Sequence, residues 1–104
     1  MLDQEAFKIA KSQAFKHLSY RDRSKKEIAE HLAKKGHTAS IVQAIIQDLE
    51  NLNYINDDRF ASEWSRWRIE VKNFGRKRLF HELIAKGVST QIIESTLDTL
   101  YNSH

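Results

Sequence analysis

The sequence predicts an all-α fold built from two tandem three-helix repeats. The chain repeats itself, since residues 24–36 align without a gap on residues 75–87, a spacing of 51. A repeat of this length exceeds one helix and indicates a supersecondary unit that is used twice. Isoleucines and valines follow helical spacing rather than the alternation typical of strands. The 104 residues also contain no proline and only three glycines, which favours helices with short connections.

We expect the two units to span residues 1–54 and residues 55–104. A unit of about fifty residues is near the size below which a fold buries too little apolar surface to be stable alone. The two units are therefore expected to share a core or an interface.

Three helices are predicted in the first unit. The apolar stripe of the first helix comprises Phe7, Ala10, Ala14 and Leu18, with Phe15 beside them. Ser24 is the expected N-cap of the second helix, and Glu27 completes a capping box. Gly36 ends that helix where a left-handed residue is needed, and Thr38 caps the third helix. Asn53 lies where the chain must turn and tolerates left-handed geometry.

The second unit repeats this plan with different end signals. Asn56, Asp57 and Asp58 form a cluster suited to a helix start. Gly75 takes the place of Ser24, and Ser89 is the expected cap of the last helix. The predicted apolar faces of the three helices are Phe60, Ala61, Trp64, Trp67 and Val71; then Leu79, Phe80, Leu83 and Ile84; then Ile92, Ile93, Leu97 and Leu100.

The second unit is more apolar than the first. Ala29, Ala33, Gln13 and Lys16 align with Phe80, Ile84, Trp64 and Trp67. These bulky groups either form the junction between the units or face a further repeat or a partner outside this chain.

Several classes of function find no support in the sequence. Without cysteine there are no disulfides, zinc–thiolate sites or thiol nucleophiles. The histidines show no metal-ligand spacing and are His17, His31, His37, His81 and His104. No phosphate loop or nucleophile elbow occurs, so we predict a binding protein with no cofactor rather than an enzyme. The first residues lack the features of a signal peptide, and no segment has the length of a membrane span, so we expect a cytoplasmic protein.

The cations recur at the same places in both units, within a net charge of +3. Arg21, Lys25 and Lys26 align with Lys72, Arg76 and Lys77, while Arg23, Arg78, Arg66 and Arg68 enlarge the clusters. A cation in the first turn of a helix is typically unfavourable by about 0.3–1 kcal/mol. These ten residues are therefore candidates for binding phosphates or the carboxylates of a partner. The alternative is an ordinary solvated basic face.

Short motifs along nearly the whole chain resemble the RecX family. The first unit carries Arg23-Ser24, Glu27-Ile28, Leu32 and Lys35-Gly36; the connection carries Tyr54-Ile55-Asn56-Asp57-Asp58-Arg59-Phe60-Ala61; the second unit carries Arg66, Arg68, Gly75, Arg78-Leu79, Glu82-Leu83 and Lys86-Gly87. Asn53 stands where the family usually has glycine.

The resemblance implies a regulatory protein of bacterial homologous recombination and DNA repair. Such proteins bind the RecA recombinase and its filament on single-stranded DNA, and they usually inhibit filament growth. The implied fold is a set of three-helix units in an elongated, curved body. Family members usually have three units, so the chain is expected to contain the first two.

Two other functions stay open on the sequence. A direct nucleic-acid-binding module is the first alternative, because small three-helix units often present a recognition helix. The second is an adaptor that recognises its partner through an apolar edge at Phe80 and Ile84.

Overall fold

The structure, a computed structural model, describes residues 3–102, so Met1, Leu2, Ser103 and His104 lie outside the described residues. Within that range the chain forms six α-helices and no strand, which confirms the all-α prediction. The helices are α1 (Gln4–Leu18), α2 (Lys25–Lys34), α3 (Ala39–Asn51), α4 (Asp57–Lys72), α5 (Arg76–Ala85) and α6 (Thr90–Asn102). They form two compact units, Met1–Asn56 and Asp57–His104. The sequence-based boundary after residue 54 stays a prediction.

The predicted helix starts of the first unit are confirmed by their hydrogen bonds. Ser24 Oγ accepts from the backbone N–H of Glu27 at 3.2 Å, and Glu27 Oε1 accepts from the N–H of Ser24 at 3.1 Å, which completes the capping box. Thr38 Oγ1 accepts from the N–H of Ile41 at 3.3 Å and caps α3. Asp3 caps α1 in the same way, a role that the sequence reading missed.

The helix ends also follow the predicted chemistry. Gly36 has φ +91° and Asn53 has φ 64°, both in the left-handed region. At the end of α2, the N–H groups of Gly36 and His37 donate to the carbonyls of Ala33 and Leu32. This pairing satisfies carbonyls that a helix end leaves without partners. Asn73, after α4, has φ 55° and was not predicted to be left-handed.

Each unit has its own core, in which all three of its helices pack against one another. Aligned residues of the two repeats are buried in both units, namely Ile28 and Leu79, Leu32 and Leu83, Val42 and Ile93, and Ile46 and Leu97. The repeat therefore encodes the same helix packing twice. Among the bulky residues of the second unit, Trp64 and Phe80 pack against that unit's own core. Trp67 and Ile84 are exposed.

Ser65 is a buried polar residue on the core side of α4. It is fully buried, and within the described part of the chain its Oγ has no hydrogen-bond partner. Ala14, its counterpart in the first unit, is equally buried but has no polar atom. A buried hydroxyl without a partner costs free energy that alanine would not cost.

We therefore expect Ser65→Ala to raise the free energy of unfolding by about 1 kcal/mol. This change is measured by unfolding the whole chain in urea and monitoring tryptophan fluorescence, because Trp64 and Trp67 both lie in the second unit. The reverse substitution, Ala14→Ser, should lower the stability of the first unit. Destabilisation by Ser65→Ala would show that the hydroxyl has a stabilising partner.

Candidate partner-binding surface

The candidate cations of the first unit are engaged within that unit. Arg21 donates from Nη1 to Glu27 Oε1 at 3.1 Å and from Nη2 to Glu27 Oε2 at 2.7 Å. The carboxylate that closes the capping box thus also binds Arg21. Arg23 donates from Nε to the carbonyl oxygen of His17 at 3.2 Å, which ties the start of α2 to the end of α1. Lys26 lies exposed on the first turn of α2.

Lys25 and Arg76, which are aligned in the repeat, have the same structural role. Each lies in the first turn of its unit's middle helix and reaches the third helix. Lys25 Nζ lies 3.3 Å from Glu50 Oε2, and Arg76 Nη2 lies 3.0 Å from Glu94 Oε2 and 2.7 Å from Asp98 Oδ1. The hydrogen bond to Asp98 is the main reason that the pKa of Arg76 is raised. These ion pairs explain cations that are otherwise unfavourable at a helix start.

Arg68 is the centre of an aromatic cluster in the second unit. Its Nε lies 2.6 Å from Glu82 Oε1, and Trp64 Nε1 donates to the same oxygen. The guanidinium carbon of Arg68 lies 4.7 Å from the ring centre of Trp64, 4.8 Å from that of Trp67 and 5.0 Å from that of Phe74. Such cation–π contacts contribute about 0.5–2 kcal/mol each, depending on desolvation. Arg68 therefore holds α4, α5 and the connection between them together.

Three other candidates, Lys72, Lys77 and Arg78, are exposed. Throughout residues 3–102, no carboxylate lies within ion-pair distance of Lys72, Lys77 or Arg78. Arg78 instead places its guanidinium carbon 3.8 Å from the ring centre of Phe74. Arg66 Nη1 lies 3.4 Å from Glu63 Oε1, and an exposed ion pair of this kind contributes little to stability. The second unit thus offers cations that are available to a carboxylate or a phosphate.

The difference between the units follows from two changes at the start of the middle helix. Gly75 replaces Ser24, and α5 has no side-chain cap. Arg78 replaces Glu27, so the first turn of α5 contains cations and no acid. The two residues of the capping box in α2 are thus replaced in α5 by a glycine, which has no side chain to cap the helix, and by an arginine, which adds positive charge. Local consistency is most often broken in this way at functional sites.

Family comparison identifies the two units. Residues 10–49 match the family model for the RecX first three-helix domain, and residues 56–97 match the one for the RecX second three-helix domain. The chain belongs to the RecX family. The two RecX domains occur in the order that the sequence motifs indicated, and together they cover most of the chain.

Individual RecX proteins support the same conclusion. The regulatory protein RecX of Bacillus velezensis is 37% identical over 90 residues, which are 86% of this chain and 34% of that protein. The regulatory protein RecX of Caldanaerobacter subterraneus is 29% identical over 94 residues, 90% of this chain and 47% of that protein. The chain therefore spans between a third and a half of the length of these curated relatives.

A solved structure shares the fold. The crystal structure of RecX from Lactobacillus salivarius matches with a TM-score of 0.91 and 25% identity, over 97% of this chain and 66% of that chain. The chain therefore shares the fold of a RecX protein whose structure was determined by experiment. No helix in the described range is long and apolar enough to cross a membrane. The same range contains no group of three or more histidine, aspartate or glutamate residues able to hold a metal ion.

A histidine pair in the first unit was missed by sequence reasoning. The rings of His17 and His31 stack with their centres 3.9 Å apart and their planes at 3°. Burial lowers the pKa of both histidines; Arg23 lowers that of His17 further, and Lys35 that of His31. The residues are on different helices and have no sequence spacing that would reveal the contact.

We expect the RecX first domain to lose stability as the pH falls. In the folded state the pKa of each histidine lies below 6.5, its ordinary value in the unfolded chain. At a pH between the folded-state pKa and 6.5, the unfolded chain therefore binds more protons than the folded chain. The contribution of the two histidines to stability is therefore greatest above pH 6.5 and falls as the pH drops through 6.5. It levels off once the pH lies below the folded-state pKa values. Urea midpoints at about pH 7.5 and about pH 5.5 measure the effect.

A double variant separates the effect of protonating the two histidines from the effect of protonating carboxylates, which also titrate in acid. His17→Gln with His31→Gln should show a smaller loss between the two pH values than the wild type. Equal losses in both proteins would contradict the assigned role of the pair.

Proposed function

We propose that this chain binds RecA and its filament on single-stranded DNA in the cytoplasm, and that it inhibits the activities that depend on filament growth. The observation that carries the proposal is the match to two RecX three-helix domains in their expected order. Relatives that share these domains are named regulatory proteins. A non-catalytic role is also what the sequence predicts, since it contains none of the catalytic motifs considered above.

The two helical units support recognition of a large partner. Tandem helical units present extended surfaces rather than deep pockets, and such surfaces suit long assemblies such as filaments. The exposed cations Lys72, Lys77 and Arg78 provide positive charge toward a partner that is acidic or carries phosphates. The cations of the first unit mainly support its own fold, so we assign recognition chiefly to the second unit.

A direct nucleic-acid-binding module is the second candidate function. It is favoured by the same three cations, because phosphate binding by lysine and arginine does not require a particular base sequence. Against it stands the modest net charge of +3. This function requires DNA binding without RecA, and that binding should weaken steeply as the salt concentration rises.

We expect the chain to lower the rate of ATP hydrolysis by RecA on single-stranded DNA, in a concentration-dependent way. Binding to the filament would hinder its growth, and a smaller filament hydrolyses less ATP. The measurement is a steady-state ATPase assay in which the chain is added either before or after filament assembly. Inhibition should be stronger when the chain is added before assembly.

Co-sedimentation with preformed filaments and binding to the bare DNA strand are the accompanying controls. An unchanged ATPase rate together with no co-sedimentation would contradict the proposed function. Binding to bare DNA that accounts for all inhibition would favour the second candidate.

A further inference from the structure

We propose that Trp67, Val71, Lys72, Phe74 and Arg78 form a docking surface for a protein segment that presents an apolar side chain beside carboxylates. We call these five residues the α4–α5 surface. The inference deepens the proposed function and rests on it, because the segment would then belong to RecA.

The apolar part of this surface lies along α4. Trp67 is 45% exposed and Val71 is 59% exposed, and residues four apart occupy the same face of a helix. Neither is required to fill the core of the second unit, which is built from other buried residues. An exposed tryptophan beside an aliphatic residue is typical of the centre of a protein interface.

The aromatic groups are held in place before a partner arrives. The guanidinium carbon of Arg68 lies 4.8 Å from the ring centre of Trp67 and 5.0 Å from that of Phe74. Arg68 is itself fixed by Glu82, at 2.6 Å. A side chain that is already ordered loses less conformational entropy on binding, so its buried area contributes more to affinity.

Positive charge lies beside the aromatic part of the surface. The guanidinium carbon of Arg78 lies 3.8 Å from the ring centre of Phe74, and Lys72 is exposed in the last turn of α4, two residues before Phe74 in the chain. Neither cation has an ion-pair partner anywhere in residues 3–102. Glu63 and Glu70 lie one helical turn from Trp67. A partner that carries carboxylates beside an apolar group would therefore bind in one orientation.

These chemical properties fit a protein segment better than a nucleic-acid strand. Arg68 already lies over the Trp67 ring, and Val71 has no aromatic face on which a base could stack. A nucleic-acid strand carries a phosphate at every nucleotide, so Glu63 and Glu70 would repel it, whereas a protein segment can carry carboxylates only where they meet Lys72 and Arg78. The first unit does not repeat the surface, because Lys16, Tyr20 and Glu27 align with Trp67, Val71 and Arg78.

The test is binding of the full chain to RecA filaments on single-stranded DNA, measured by fluorescence anisotropy of a labelled chain. Val71→Glu should weaken binding by about tenfold or more, because it places a charge in the apolar centre and repels carboxylates. It leaves the aromatic cluster intact. Trp67→Ala should weaken binding to a similar extent. Ile9→Glu is the matched control, an apolar residue on α1 that is 50% exposed, and it should bind like the wild type.

The outcomes separate this inference from the proposed function. Loss of binding by Val71→Glu and Trp67→Ala, but not by Ile9→Glu, supports the α4–α5 surface. Wild-type binding by Val71→Glu overturns the docking surface and leaves the proposed function standing. Failure of the wild-type chain to bind RecA filaments overturns the proposed function and this inference with it. Binding to bare DNA that Val71→Glu abolishes would instead assign the surface to a nucleic-acid strand and overturn the choice of a protein segment.

Discussion

The burial of two apolar side chains on the middle helix of each unit is the constraint on which the structure depends. These residues are four apart and completely buried, Ile28 and Leu32 in α2 and Leu79 and Leu83 in α5. A unit of about fifty residues has one small core, so its middle helix must pack closely against the other two. That packing places the first turn of the middle helix near the third helix. A cation there can then reach a carboxylate of the third helix in both units.

The same framework supports different surfaces in the two units. In the first unit, Arg21 binds Glu27 in the capping box and Lys25 reaches Glu50, so these charges contribute to the fold. In the second unit, arginine replaces the acid of the capping box, and the basic charge stays exposed. The two copies thus have the same core packing, each within its own unit, but differ in the charge that they expose. The positions that differ between the copies include those of the proposed partner-binding surface.

Local features could be predicted from the sequence, and contacts between helices could not. The caps Ser24 and Thr38 and the left-handed residues Gly36 and Asn53 depend on neighbours a few residues away, and all four predictions are confirmed. The recurring cations were recognised as a pattern, but the carboxylate partners of Lys25, Arg68 and Arg76 lie on other helices. The His17–His31 stack and the position of Arg68 among aromatic rings depend on how the helices pack against one another. The spacing of apolar residues indicates which face of a helix is buried, but not which side chains of neighbouring helices meet.

The most direct test of this account compares charge reversals in the two units. Lys77→Glu with Arg78→Glu should weaken binding to RecA filaments and reduce its dependence on salt, while the variant remains folded. Lys25→Glu with Lys26→Glu breaks the Lys25–Glu50 ion pair, but it introduces acids that are favourable in the first turn of a helix, so this variant should also remain folded. That second variant should bind with wild-type affinity. The opposite pattern, with binding lost only in the first-unit variant, would contradict the claim that recognition lies in the second unit.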